Sequence, residues 1–250
     1  MYADAAVAYQ TKFWPTIQPS TPAMKKLLLF LLLLPALLPA QTPVASDKAL
    51  NIFTLGDSNG TFLHSWPKQL ELALPRAQVF NLSKSGRTIG FVNNGDSTLN
   101  SLLVIDENLR KAAEFTKERP FDFVVLELGT NDAKAVFANR QNEVPKNLQQ
   151  LIHKIKTCPY PTISKARIII ISPPPYGQKA EALAKYQGGG QRVSNMSESF
   201  KKVAQRTRCL FVNGYKTPGL DINAMTADGL HLDATASRLL IAPVLSSMAR

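Results

Sequence analysis

The chain has 250 residues, 45% of them hydrophobic, enough apolar side chain for one sizeable core and, on length, for one domain. Its net charge of +11 would attract nucleic acid, anionic lipid or acidic glycan. However, Lys117 and Arg119, Lys154 and Lys156, and Arg206 and Arg208 fall at expected helix ends, where cations complement the helix dipole. With no aromatic-and-basic nucleic-acid motif, the charge reads as a solvated surface and a nucleic-acid partner is not expected.

Residues 1–23 precede a more telling stretch and do not fit it, as though translation began at Met24. Lys25 and Lys26 lead into an apolar run from Leu27 to Ala40, broken by Pro35 and Pro39. Fourteen residues is short of the roughly 20 that cross a bilayer. A basic pair, a leucine-rich segment and a small residue at its end predict a secretory signal over 24–40, cleaved after Ala40. An uncleaved signal anchor is the alternative. Export to the periplasm or medium follows, with no stable membrane anchor after cleavage. The single folded domain is then expected over 47–250.

Beyond the signal, strand and helix patterns alternate. Asn51 to Asp57 reads as a short apolar strand ending in a turn. Trp66 to Leu74 has apolar residues at helical spacing, with Pro67 suited to a first turn. Ala77 to Leu82 is the second strand and Asp106 to Glu118 a helix. Asp122 to Leu128 is a third strand, apolar on both faces. Val144 to Thr157 is a helix with Leu148, Leu151, Ile152 and Ile155 on one side. Ala166 to Ser172, with four consecutive isoleucines, is the fourth strand. Val193 to Thr207 is a helix, Cys209 to Asn213 the fifth strand, and Ala234 to Met248 a closing helix with Asp233 as N-cap. The loosest segment is Pro173 to Gly190, which holds the runs Pro173-Pro174-Pro175 and Gly188-Gly189-Gly190. Such alternation implies parallel strands joined by helical crossovers, and near-continuous apolar strands imply a sheet covered on both faces. The fold expected is α/β, a three-layer α/β/α sandwich with a five-stranded parallel sheet.

Ligands bind such sheets at the carboxyl ends of the strands. Four polar turns meet there: Gly56-Asp57-Ser58-Asn59-Gly60, Asn81-Leu82-Ser83-Lys84-Ser85-Gly86, Gly129-Thr130-Asn131-Asp132 and Asp228-Gly229-Leu230-His231-Leu232-Asp233. A serine hydroxyl needs a base to become a nucleophile, and His231 is the candidate for Ser58. Asp228, three residues earlier, is placed to hold the other ring nitrogen. An oxyanion needs preorganised donors, which the backbone N–H groups of Ser58 and Gly86 and the side-chain amide of Asn131 can supply. Glycine at 86 would let a carbonyl oxygen approach the backbone closely. Asp132 reads as holding its turn. His64, just after Ser58, reads as structural before a substrate contact, and His153 as exposed.

In order and in kind, these four segments resemble the SGNH hydrolase family, also called GDSL esterases and lipases. The resemblance covers essentially the whole chain after the signal. It implies the flavodoxin-like strand order 2-1-3-4-5 and metal-free, cofactor-free hydrolysis of carboxylic esters through an acyl-enzyme. It further implies catalysis by Ser58, Asp228 and His231 with an oxyanion hole of Ser58, Gly86 and Asn131. Asn59 departs from the leucine common there, which suggests an altered pocket. Leu128 to Lys134 and the run Pro173-Pro174-Pro175 look most like small arylesterases and acetylesterases, which act on short acyl groups, often acetyl on carbohydrate.

Each motif alone has a plainer reading, since glycine, serine and aspartate are common turn residues. Gly56 to Gly60 also matches the G-x-S-x-G elbow of α/β-hydrolases, but there the serine lies deep in the sequence and its acid and histidine come from separate loops. A lysophospholipase or thioesterase of the same family, a non-catalytic glycan or lipid binder, and a nucleotide binder are the competing functions. The last is disfavoured because Asp57 would repel phosphate. Tyr176 is either a substrate contact or a surface residue. Cys158 and Cys209 are expected at the sheet end remote from the site, where a disulfide or two free thiols are both open.

Overall fold

The computed structural model describes residues 49–117 and 119–250. The expected upstream segment, 1–23, and the expected signal, 24–40, lie outside the described residues.

Five parallel strands form one sheet: β1 (Asn51–Gly56), β2 (Gln78–Asn81), β3 (Phe123–Glu127), β4 (Arg167–Ile171) and β5 (Leu210–Val212). Their order is β2-β1-β3-β4-β5, as the resemblance implies. The helices are α1 (Trp66–Ala73), α2 (Ser101–Thr116), α3 (Val144–Lys156), the short α4 (Pro161–Ser164) and α5 (Gln178–Glu181), α6 (Gly189–Thr207) and α7 (Ala234–Met248).

The central strands are mostly apolar because successive side chains enter alternate cores. Val124, Leu126, Ile168 and Ile170 pack with α2, α3 and α6 on one face. Phe123, Val125, Ile169 and Ile171 pack with α1 and α7 on the other, around Trp66, Leu70, Leu240 and Val244. Every residue of β1 is buried. Burying one such side chain stabilises the fold by about 1.5–3 kcal/mol, so the isoleucine run of β4 secures both layers at once.

Two expectations are corrected and one open choice is decided. Helix α2 starts at Ser101, not Asp106, because Asn100 caps it: its side-chain oxygen accepts the Leu102 N–H at 3.0 Å. The segment from Pro173 to Gly190 is not loose. It carries α5, and Glu181 accepts the N–H groups of Gly188 and Gly190, which starts α6 four residues before the apolar pattern does. Glycine is needed at 189 because a Cβ there would lie 2.1 Å from the Tyr176 ring. Finally, Cys158 and Cys209 are free thiols. Each points at a carbonyl of its own segment, Cys158 at Tyr160 and Cys209 at Thr207, both at 3.7 Å.

The loops at the carboxyl edge are fastened to one another by Asp132. Fully buried, both its oxygens lie 3.0 Å from the Ile89 N–H, which ties the turn after β3 to the loop after β2. Burial, opposed by backbone N–H donors at Ile89 and Gly90, pushes the Asp132 carboxyl up from 3.8 to about 7. Between those values the unfolded chain has lost this proton and the folded chain keeps it. The contribution to stability is thus present below about pH 4 and is lost as pH rises through about 7. Isosteric, uncharged Asp132→Asn should gain Tm relative to wild type as pH rises across that window. A Tm difference that stays constant from about pH 4 to 7.5 would refute the shift.

Candidate active site

The last residue of β1 leads directly into a tight turn. The Asp57 side chain accepts the Asn59 N–H at 3.0 Å and its backbone carbonyl accepts the Gly60 N–H at 3.1 Å, which leaves Ser58 at the apex. Across the sheet edge, the loop before α7 is drawn in from both sides. Leu230 sinks into the core on one face of the sheet and Leu232 into the core on the other, so His231 between them stands at the edge. Asp233 then caps α7 by accepting the Ala236 N–H at 2.8 Å.

These placements join three expected residues. His231 Nε2 lies 3.0 Å from Ser58 Oγ, and His231 Nδ1 lies 2.5 Å from Asp228 Oδ2. The other Asp228 oxygen accepts the backbone N–H groups of Leu230 and His231, each at 2.9 Å. Burial alone would raise the Asp228 carboxyl, but these backbone bonds and the imidazole outweigh it and hold the group below its usual range. Asp228 therefore stays ionised where it orients the ring, although its side chain is 48% exposed. A base resting on a hydroxyl and steered by a carboxylate is an arrangement suited to acyl transfer.

The expected oxyanion donors lie on the turns that follow β1, β2 and β3. Asn131 donates one amide N–H to the Arg87 carbonyl at 3.1 Å, which fixes the amide plane. Its second amide N–H and the N–H groups of Ser58 and Gly86 have no acceptor among the described residues. Gly86 is glycine for a reason other than open space: its φ is +81°, and a Cβ would point inward, 3.2 Å from Leu99. Its carbonyl accepts from the Asn93 side chain at 2.6 Å, and Asn93 in turn accepts from Lys134 Nζ at 3.1 Å. Lys134 is only 8% exposed, and burial lowers its pKa, with repulsion from Lys185 adding to the effect.

Other expectations meet different fates. His153 is exposed. His64 is exposed too and stacks on Phe62, with centroids 5.5 Å apart. Phe62 meets the His231 ring edge-on at 5.4 Å and was not singled out from the sequence. Tyr176 is not a surface residue; it is buried and donates to the Thr130 carbonyl at 2.5 Å. Asn59 is buried, with its side chain bonded to the His231 loop. Glu127, at the end of the apolar β3, is fully buried. Burial, reinforced by the Asp57 charge, pushes its carboxyl well above the usual range. Among the described residues, no three His, Cys, Asp or Glu side chains gather into a metal-binding group.

The fold is similar to several solved structures. One is a carbohydrate acetylesterase family member from Sinorhizobium meliloti, 23% identical, with a TM-score of 0.66 over 80% of this chain and 98% of that one. Another is the native aryl esterase of M. smegmatis, 20% identical, with a TM-score of 0.66 over 80% and 99%. A third is a member of the lipolytic protein G-D-S-L family from Veillonella parvula, 18% identical, with a TM-score of 0.59 over 81% and 100%. No curated protein matched the sequence. The model of the GDSL-like lipase/acylhydrolase family matches residues 53–239, three quarters of the chain, with every element from β1 into α7 inside or across its bounds. The chain belongs to this family, the SGNH hydrolases, and is an ester hydrolase.

Proposed function

We propose that this ester hydrolase is an exported serine esterase that removes short acyl groups, chiefly acetyl, from carbohydrate or aryl alcohols. The observation that carries the reading is the continuous hydrogen-bonded path from Ser58 through His231 to Asp228, with bonds of 3.0 and 2.5 Å. His231 Nε2 takes the Ser58 proton as Oγ attacks the ester carbonyl. Asp228 holds the Nδ1–H and stabilises the imidazolium that results. The carbonyl oxygen, now negative, accepts from the N–H groups of Ser58 and Gly86 and from the second Asn131 amide N–H. Collapse breaks the bond to the alcohol, which leaves with the proton from Nε2. A water then attacks the acyl-serine by the same route, giving the carboxylic acid and restoring Ser58.

Two lines support the narrower substrate class: the resemblance of Leu128 to Lys134 to small arylesterases and acetylesterases, and the named activities of the similar structures. Export rests on the pattern at 24–40. A second reading, longer acyl chains as in lysophospholipids or thioesters, draws support from Phe62 and Leu63. Phe62 meets the His231 ring and is 40% exposed, and Leu63, next in the chain, is 95% exposed. Hydrolysis of p-nitrophenyl esters of increasing acyl length, followed by acetylated saccharides, separates the two. We expect kcat/KM to be highest at two to four carbons (about that length), and an optimum on long chains would overturn the acetyl assignment.

Ser58→Ala and His231→Ala should each lower kcat by several orders of magnitude, roughly 10³-fold or more, with Tm little changed. Asp228→Ala should cost less, because aspartate orients and does not attack. A folded Ser58→Ala protein that keeps a tenth of its turnover would remove Ser58 as nucleophile.

Asn131→Ala should lower kcat by about 10²–10³-fold with KM nearly constant, since the amide bonds the developing charge more strongly than the ground-state carbonyl. Loss of its bond to Arg87 should also cost about 1 kcal/mol in stability. A variant with lowered Tm but normal kcat would restrict Asn131 to shaping its turn.

A further inference from the structure

Ser58 and His231 come from segments 173 residues apart, and their contact needs a device that fixes the separation of those segments. The loop around His231 is well tied to its own neighbourhood. Asp228 accepts from Leu230 and His231, Asp233 donates to the Met225 carbonyl, and the Gly229 carbonyl accepts from Gly177. None of these bonds reaches the serine turn. Among the described residues, three hydrogen bonds join the turn at 57–60 to the loop at 228–233. One is the Ser58–His231 bond itself, and both others belong to Asn59.

Asn59 is 2% exposed and directly follows Ser58. Its Nδ2 donates to the Leu230 carbonyl at 3.3 Å, and its Oδ1 accepts the Leu232 N–H at 2.9 Å. One side chain thus grips the backbone groups on either side of His231, as an edge strand would. Its own backbone N–H is held by Asp57 at 3.0 Å, so the grip is referred back to the turn that carries Ser58. The chemistry is specific to the amide. A donor faces a carbonyl and an acceptor faces an N–H, at a reach of two carbons. Leucine would fill the volume and leave both backbone groups unpaired in a buried place. A carboxylate would satisfy Leu232 and repel the Leu230 oxygen.

We propose that Asn59 is a positioning residue that sets the distance and angle between His231 Nε2 and Ser58 Oγ by clamping the peptide groups at Leu230 and Leu232. The proposal rests on the serine-esterase reading above. Asn59 does not touch the ester. It acts by keeping the base in line with the hydroxyl, and displacements of about 1 Å in such pairs cost on the order of a hundredfold in rate.

The test uses the full chain with a short-acyl p-nitrophenyl ester, and measures kcat, KM, Tm and the pH profile for Asn59→Leu and Asn59→Asp. Asn59→Leu should lower kcat by about 10–100-fold at temperatures where it is folded, with KM within about threefold of wild type. Asn59→Asp carries a second signature. A protonated carboxyl offers one donor and one acceptor, as the amide does, whereas the ionised form has no donor for the Leu230 carbonyl. Its kcat relative to wild type at the same pH should therefore fall as pH rises. The ionisable groups around the position are Asp57, Asp228 and His231. Because all three are present in both proteins, the ratio isolates residue 59. If Asn59→Leu does not fold, the Asn59→Asp ratio decides alone. A folded Asn59→Leu protein with wild-type kcat, or an Asn59→Asp ratio independent of pH, overturns the proposal. An inert Ser58→Ala beside a fully active Asn59→Leu removes only the role of Asn59, whereas an active Ser58→Ala removes the parent reading and this one together.

Discussion

A 3.0 Å bond between Ser58 and His231, 173 residues apart, is the constraint on which the rest of the structure bears. No local element can span that separation. The parallel sheet can, because it brings the carboxyl ends of its strands to one edge. Strand β1 is interior, paired with β2 on one side and β3 on the other and buried along its length, so the serine turn rises from a strand held on both sides. The histidine arrives from the opposite end of the sequence and is held by Leu230 and Leu232, which enter the cores on the two faces. Packing thereby fixes the loop across the sheet edge, and the two amide bonds of Asn59 fix it along that edge.

The same edge sorts its carboxyl groups by environment. Asp228 accepts two backbone N–H groups and the imidazole, and is held ionised. Asp57, Glu127 and Asp132 are buried, and burial pushes all three upward. A proton drawn from Ser58 thus meets an imidazole steered by a firmly charged partner, while the carboxyls beneath the site are driven toward neutrality. Burying charge without a counter-ion is costly, so Asp57 and Asp132 are supported by backbone N–H donors at Asn59 and Ile89.

Much of this could be read from residue order. The apolar runs at 122–128 and 166–172 mark strands buried on both faces, and residues at helical spacing mark α1, α3 and α7. Ser58, Asp228 and His231 stand out because each falls after a strand or before the last helix, and the structure brings all three together. The strand order came with the resemblance, since alternation alone cannot say which strand lies beside which. What could not be read depended on contacts between distant segments. Nothing local marks Asn59 as a clamp, Phe62 as the neighbour of His231, or Asn93 and Lys134 as the support beneath Gly86. Composition also misled. Glycines and prolines from 173 to 190 suggest looseness, yet Gly189 is set by the Tyr176 ring and Glu181 satisfies the backbone around it. For the two cysteines the sequence leaves a bridge and free thiols equally open, and the contacts that decide it are each thiol's turn to a carbonyl of its own segment.

The account stands on Ser58 being a nucleophile activated by His231. The most direct test is the rate of covalent labelling by a fluorophosphonate, with the site mapped by peptide mass spectrometry. The account predicts one adduct, on Ser58, formed in the wild type at least about a hundredfold faster than in His231→Ala. Labelling at another residue, or an equal rate in the two proteins, would contradict it.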